Sequence, residues 1–202
     1  MSDKIYKLPY EIFPIYFDFS HGMVPDEVVI PEDVSVVCVN QATGADTKAQ
    51  VIASQTLQGR RIQVVIKEGV LGEIHKITGK IHTNLDNILE HEVFLYIRKN
   101  PSDIDAFFKQ PKEEYSIGND FEDDLEPGEA VVSQSVLAIK KIDNSDASSF
   151  VIKGSGLDKS LVHLHVGIFN GADQEYYLLE MRLVTAMGYQ YAKQVTMILK
   201  EL

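Results

Sequence analysis

The 202-residue chain has no tryptophan and one cysteine, Cys38. A single cysteine excludes an internal disulfide, and a thiolate metal cluster would need ligands from other chains. No apolar run approaches the roughly 18 residues that span a bilayer. The opening residues, Met1-Ser2-Asp3-Lys4-Ile5-Tyr6, lack the apolar stretch of a secretory signal, so synthesis in the cytosol is expected. Positive charge is also scarce. Nineteen Lys and Arg stand against thirty Asp and Glu, a net charge of −11. Arg60-Arg61 and Lys140-Lys141 are isolated pairs in a scatter of basic residues. A phosphate-binding surface needs clustered cations to displace counterions. Nucleic acid and membrane are therefore not expected as partners. An acidic surface suits docking on a basic protein face.

Motifs for catalysis are missing as well. There is no G-x-S-x-G elbow, no G-x-x-x-x-G-K-[ST] loop and no G-x-G-x-x-G turn. Gly154-Ser155-Gly156 is read as a hairpin turn. Six acids lie between Asp120 and Glu129: Asp120, Glu122, Asp123, Asp124, Glu126 and Glu129. Their spacing fits no EF-hand loop, and the reading is a solvated acidic loop. His163 and His165 project from one face of a strand, as two zinc ligands do, but no third ligand is evident. Cys38, in Val36-Val37-Cys38-Val39, reads as a small buried hydrophobe. No catalytic, cofactor-binding or metal-binding residue is assigned, no cofactor is expected, and the chain is expected not to be an enzyme.

What the chain does have is a repeat. At an offset of 102, Glu11, Asp18, Phe19, Pro25, Glu27, Val29 and Val34 match Glu113, Asp120, Phe121, Pro127, Glu129, Val131 and Val136. Val64, Ile66, Gly69, Glu73, Thr83 and Val93 match Val166, Ile168, Gly171, Glu175, Thr185 and Val195. Chance pairing at ordinary composition gives about five identities over this span. Ile62, Ile77, Ile81, Leu95 and Ile97 correspond to Leu164, Leu179, Leu183, Met197 and Leu199. Apolar character is kept while size drifts, as repacked core positions allow. The pairing runs without a gap over residues 11–98, and a repeat of that length is a duplicated domain.

Each copy reads as strands. Residues 62, 64 and 66 share one face, as do 93, 95 and 97, and 177, 179, 181 and 183. Turn formers such as Thr43-Gly44-Ala45-Asp46 and Asn170-Gly171-Ala172-Asp173 divide about seven strands per copy. The expected fold is all-β, with two tandem immunoglobulin-like antiparallel β-sandwich domains. The expected boundaries are 1–98 for the first domain, 99–112 for a linker and 113–202 for the second. Within the linker, Ser102 is placed to cap a short helical turn. Phe107 and Phe108 are read as wedged between domains or anchoring a partner.

Three stretches carry a family resemblance. The first is Glu11 through Asp18-Phe19 and Pro25-Asp26-Glu27-Val28-Val29, repeated as Asp120-Phe121 and Pro127-Gly128-Glu129-Ala130-Val131. The second is Gly72-Glu73-Ile74-His75-Lys76-Ile77 with Thr83, echoed by Gln174-Glu175-Tyr176-Tyr177-Leu178-Leu179 with Thr185. The third is the closing strand ending at Arg98 or Lys200. The chain thus resembles the immunoglobulin-like structural proteins of tailed bacteriophages and prophages, which include fibre-to-tail adaptor modules. The resemblance implies a virion component, present in several copies as a homo-oligomer and bound to other tail, neck, capsid or fibre proteins. A different class also fits: a carbohydrate- or cell-surface-binding sandwich, with Tyr6, Tyr10, Tyr16, Tyr176, Tyr177, Tyr189 and Tyr191 as aromatic contacts.

Overall fold

The computed structural model describes residues 3–98, 106–111, 113–157, 163–168, 171–172 and 174–200, apart from the side chains of residue 115 and residues 163–167. The chain divides into two units, Met1–Lys99 and Asn100–Leu202. The first holds β1 (Asp3–Lys7), β2 (Phe13–Asp18), β3 (Ser35–Asn40), the one-turn helix α1 (Lys48–Val51), β4 (Ile52–Gln58), β5 (Arg61–Ile66), β6 (Ile74–His82) and β7 (Ile88–Ile97). The second repeats the series as β8 (Ala106–Lys109), β9 (Tyr115–Asp120), β10 (Val131–Lys140), α2 (Ser148–Val151), β11 (Ile152–Leu157), β12 (His163–Ile168), β13 (Tyr176–Thr185) and β14 (Gln190–Leu199).

Strand order makes each unit an immunoglobulin-like sandwich. One sheet runs β1-β7-β6-β3 and faces β2-β5-β4; the other unit has β8-β14-β13-β10 and β9-β12-β11. The antiparallel expectation needs one amendment. The first strand of each unit pairs parallel to the last, β1 with β7 and β8 with β14.

Period-two alternation places the core. Ile62, Val64 and Ile66 are buried in the first unit, as are Val93, Leu95 and Ile97. Tyr177, Leu179, Met181 and Leu183 are buried in the second, as expected. Gly69 and Gly171 have φ of 118° and 144°, and an added Cβ would lie 2.8 Å from Ile97 or 2.4 Å from Leu199. That close approach of the backbone to the last strand explains the shared glycine.

Other sequence expectations change as well. Residues 106–109, assigned to the linker, are instead the edge strand β8, pairing with Thr196–Leu199. The rest of that stretch, including Ser102, lies outside the described residues. The missed signal was Lys-x-Pro-x-Glu at the same offset, Lys7-Pro9-Glu11 against Lys109-Pro111-Glu113. Both lysines are buried, and each Nζ donates to the carbonyls one and two residues on. Lys7 also donates to Glu68 O. Both glutamates accept the backbone N–H three residues back, from Leu8 and Gln110.

The repeat also contains compensating gaps. Val36 lies opposite Gly79 and Val136 opposite Met181, so β3 and β10 correspond at an offset of 100. The helices, and strands β4 and β11, keep that offset. Two residues are lost where the first unit has a 3₁₀ turn at Pro31–Asp33 and the second runs straight through a bulge between Val131 and Ser133. They are regained in the β11–β12 connection, since Leu57 pairs Ile62 but Leu157 pairs Leu164. An ungapped comparison pairs Val34 with Val136 and misses Ser35/Ser135, Asp46/Asp146, Val51/Val151, Ile52/Ile152 and Leu57/Leu157. Gly154-Ser155-Gly156 lies inside β11 and is not a turn.

Candidate functional site

Most of the polar residues shared by the two copies hold the fold. Asp18 Oδ1 accepts the Ser20 N–H at 2.8 Å and Asp120 Oδ1 the Glu122 N–H at 2.9 Å, while the following Phe19 and Phe121 are buried. These are the loop-backbone bonds expected of an acid ahead of a core phenylalanine. Glu27, 1% exposed, accepts from Thr83 Oγ1 at 2.6 Å, Asn87 Nδ2 at 2.8 Å and the Val24 N–H at 3.0 Å. The Thr83 and Asn87 bonds are the main reason its carboxyl stays below the usual range. Arg60 Nη2 closes the same loop through the carbonyls of Val24, Pro25 and Glu27.

The acidic run 120–129 is dispersed. Asp124 pairs with Lys193 at 2.8 Å, and Glu129 Oε2 accepts from Glu126 N–H and Tyr191 OH. Among the described residues, no three His, Cys, Asp or Glu are grouped to hold a metal ion. The backbones of His163 and His165 lie on β12, and their side chains fall outside the described set. His75 is buried, with Nδ1 2.9 Å from Thr47 Oγ1. Its Nε2 is 3.2 Å from Glu73 Oε2, within ion-pair range but without hydrogen-bond alignment. Burial pushes this imidazole below its ordinary value, against the opposing pull of Glu73. Cys38 is buried as read, and burial raises its thiol. Tyr177, Tyr189 and Tyr191 are core residues, whereas Tyr6 and Tyr176 are exposed.

The surface that remains is the outer face of each four-stranded sheet. In the first unit, cross-strand pairing aligns Tyr6, Tyr96 and Ile74 in one row and Lys4, Phe94, Lys76 and Val39 in the next. The Tyr6 and Tyr96 rings are 5.1 Å apart, and the Arg98 guanidinium covers Tyr6 at 3.5 Å. Farther along, the pairs Lys76–Glu92 and Lys80–Glu90 make the face ionic. In the second unit the same rows read Phe108, Ile198 and Tyr176, then Ala106, Thr196, Leu178 and Ile139, and Thr196 is buried, as are Glu180 and Gln194 farther along. Phe108 is 68% exposed. A hollow of about 400 Å³ adjoins this end, lined by Lys140, Lys141, Ile142, Gln174, Glu175 and Tyr176. The arrangement suits contact recognition, with an apolar end and a polar flank. Sequence reading found Tyr6 and Tyr176 but not their rows, because residues 106–109 were read as linker and cross-strand register is not visible in a sequence.

No protein-family model matches the chain, and no curated protein matches it. Solved structures similar to it include titin domains Z1Z2 in complex with telethonin, at 7% identity over 98% of this chain and 92% of that one, TM-score 0.31. Others are a titin A168–A169 fragment (12%, 99% and 96%, TM-score 0.29) and the N-terminal Ig1-2 module of the Drosophila receptor protein tyrosine phosphatase DLAR (12%, 99% and 95%, TM-score 0.30). The fold assignment rests on the chain's own strand order: two immunoglobulin-like sandwiches in tandem.

Proposed function

We propose that the chain is a non-enzymatic structural protein of a tailed phage or prophage particle, serving as an adaptor, a neck or tail accessory, or a decoration. It is made in the host cytoplasm and works in the virion by contacts with other particle proteins. The observation that carries this reading is one apolar row at the end of the outer sheet face, Tyr6-Tyr96-Ile74 in the first copy and Phe108-Ile198-Tyr176 at the same place in the second. A surface kept apolar through a duplication suits a repeated docking role. The resemblance at Asp18-Phe19, Pro25 through Val29, and their second-copy counterparts supplies the particle context, and the net charge of −11 suits basic partners. Mass spectrometry of purified particles tests it: the chain is expected at stoichiometric level, and its absence from virions ends the reading.

A carbohydrate- or cell-surface-binding module is the second reading, favoured by the exposed Tyr6 beside Tyr96. Arg98 already lies over one face of Tyr6, which leaves less ring for a sugar to stack on. A glycan array without a hit on folded protein counts against it.

A further inference from the structure

We infer that β10 is a self-pairing edge, and that two copies of this chain join their four-stranded sheets antiparallel through Val131–Leu137.

Three observations meet on this strand. The first is a lightly guarded edge, blunted at its start by the bulge between Val131 and Ser133. In β3 the corresponding side is covered at Cys38 and Asn40 by Thr47 N–H and Ala45 O, and its start is blunted by the Pro31-Glu32-Asp33 turn. In β10 the matching cover is at the equivalent Ala138 and Lys140, through Ala147, Ser148 and Ser145, and leaves the longer stretch before them uncovered. The turn is absent, and β10 begins at Val131. Val131-Val132-Ser133-Gln134-Ser135-Val136-Leu137 contains no charge, proline or glycine, the residues that usually blunt an edge. Val132 is 62% exposed.

The second observation is self-complementarity. Val132-Ser133-Gln134-Ser135-Val136 reads the same in both directions. Antiparallel pairing about Gln134 sets Gln134 against Gln134, Ser133 against Ser135 and Val132 against Val136. A two-fold interface requires such matching, and like pairs of this kind favour a ladder. The backbone phase agrees. Ala138 and Lys140 turn their N–H groups out of the sheet, and alternation by two turns Gln134 out as well.

The third is an unanswered polar atom. Gln134 Oε1, on the inner sheet face opposite Leu183, is buried and has no hydrogen-bond partner among the described residues. Across the two-fold axis, the Nε2 of the other Gln134 is the donor that satisfies it. A foreign strand supplies this match only by chance, so the occupant is a second copy. Each chain has one β10, and assembly closes at two.

This inference goes beyond the particle reading and does not rest on it, since self-association is measured in solution and particle membership in virions. Analytical ultracentrifugation of the full chain at about 100 µM is expected to show a reversible dimer, as a small interface of the weak class gives micromolar association. Gln134→Lys places like charges opposite each other and is expected to weaken association at least tenfold while the chain stays folded. Gln134→Pro removes only an outward N–H and is expected to do the same. Gln134→Cys is expected to form a covalent dimer on mild oxidation, because directly opposed hydrogen-bonded residues lie about 5.5 Å apart, within disulfide range. Ser133→Cys is not, since its own counterpart sits one diagonal away. A chain that is monomeric at this concentration overturns the inference. So do assemblies larger than two, equal crosslinking at 133 and 134, or a dimer indifferent to Gln134→Lys.

Discussion

The two units keep one scaffold and exchange its contents. In the first, Phe17 fills the interior beside Gly79, whose added Cβ would lie 2.8 Å from the ring. In the second, the corresponding positions are Asn119 and Met181, and Asn119 Nδ2 lies 3.4 Å from Met181 Sδ. Large-with-small has become small-with-large across the same gap between sheets. Glu27 has its Thr83 and Asn87 partners, whereas Glu129 Oε1 is buried without one among the described residues, and Tyr189 stands where Asn87 would be. His75 of one core is Tyr177 of the other, each beside the shared glutamate, Glu73 or Glu175. What both copies retain is backbone geometry; what they trade is volume and polarity, which a sandwich tolerates when partners change together.

The largest effect should come from breaking the exchanged pair. Phe17→Asn is expected to lose about 3–5 kcal/mol from the first unit, as a cavity and an unpaired amide replace a buried ring. Gly79→Met alone should lose about 1–3 kcal/mol by overpacking. Combined, they should recover at least ~1 kcal/mol relative to the sum, read from denaturant melts as a coupling energy. Additive losses would mean that the two positions changed independently.

Gly69→Ala and Gly171→Ala probe what the copies share. Each puts a Cβ at positive φ and against the last strand, so each should destabilise its own unit by about 2 kcal/mol. Thr83→Val then separates the copies again. It strips a donor from a buried carboxylate and should lower stability by about 1–2 kcal/mol. Thr185→Val should lower it by less than ~1 kcal/mol, since the Thr185 Oγ1 bond from the Tyr189 N–H is 3.3 Å long and involves no carboxylate. Thermal melts of the two variants side by side check the ranking.

The smallest contrast is acid sensitivity. Burial holds His75 below its ordinary 6.5, so the unfolded chain takes up the proton first. Its contribution is therefore complete above that value and declines as pH falls through it. Tyr177, held near 12 chiefly by burial, has no transition in that range. His75→Tyr should flatten the melting temperature of the first unit between about pH 7 and pH 5. An unchanged slope would assign the acid response elsewhere.

Alternation made the interior readable. Residues 62, 64, 66, 93, 95 and 97, and 177 through 183 by twos, turned inward because a strand has no other way to separate its faces. The gaps were hidden because they cancel: a turn gained before β3 is offset by a longer connection after β11, so both ends of the repeat keep one spacing. The edge strands β1 and β8 were hidden for another reason. A strand paired on one side only, and by parallel bonds to the far end of its own unit, leaves a short and weak pattern. The candidate contact face lies partly on those strands, so its tyrosines were visible one by one but their alignment was not.

The parallel pairing of first and last strands has a mechanical consequence. A pull on the two ends of the first unit drags β1 and β7 in opposite directions along their own length. All five residue pairs from Asp3–Val93 to Lys7–Ile97 then bear the load together. The bonds cannot be unzipped singly, and Lys7 anchors the loaded strand to Glu68 as well. Tension along the chain meets resistance in shear, a property suited to a link stretched between two larger bodies.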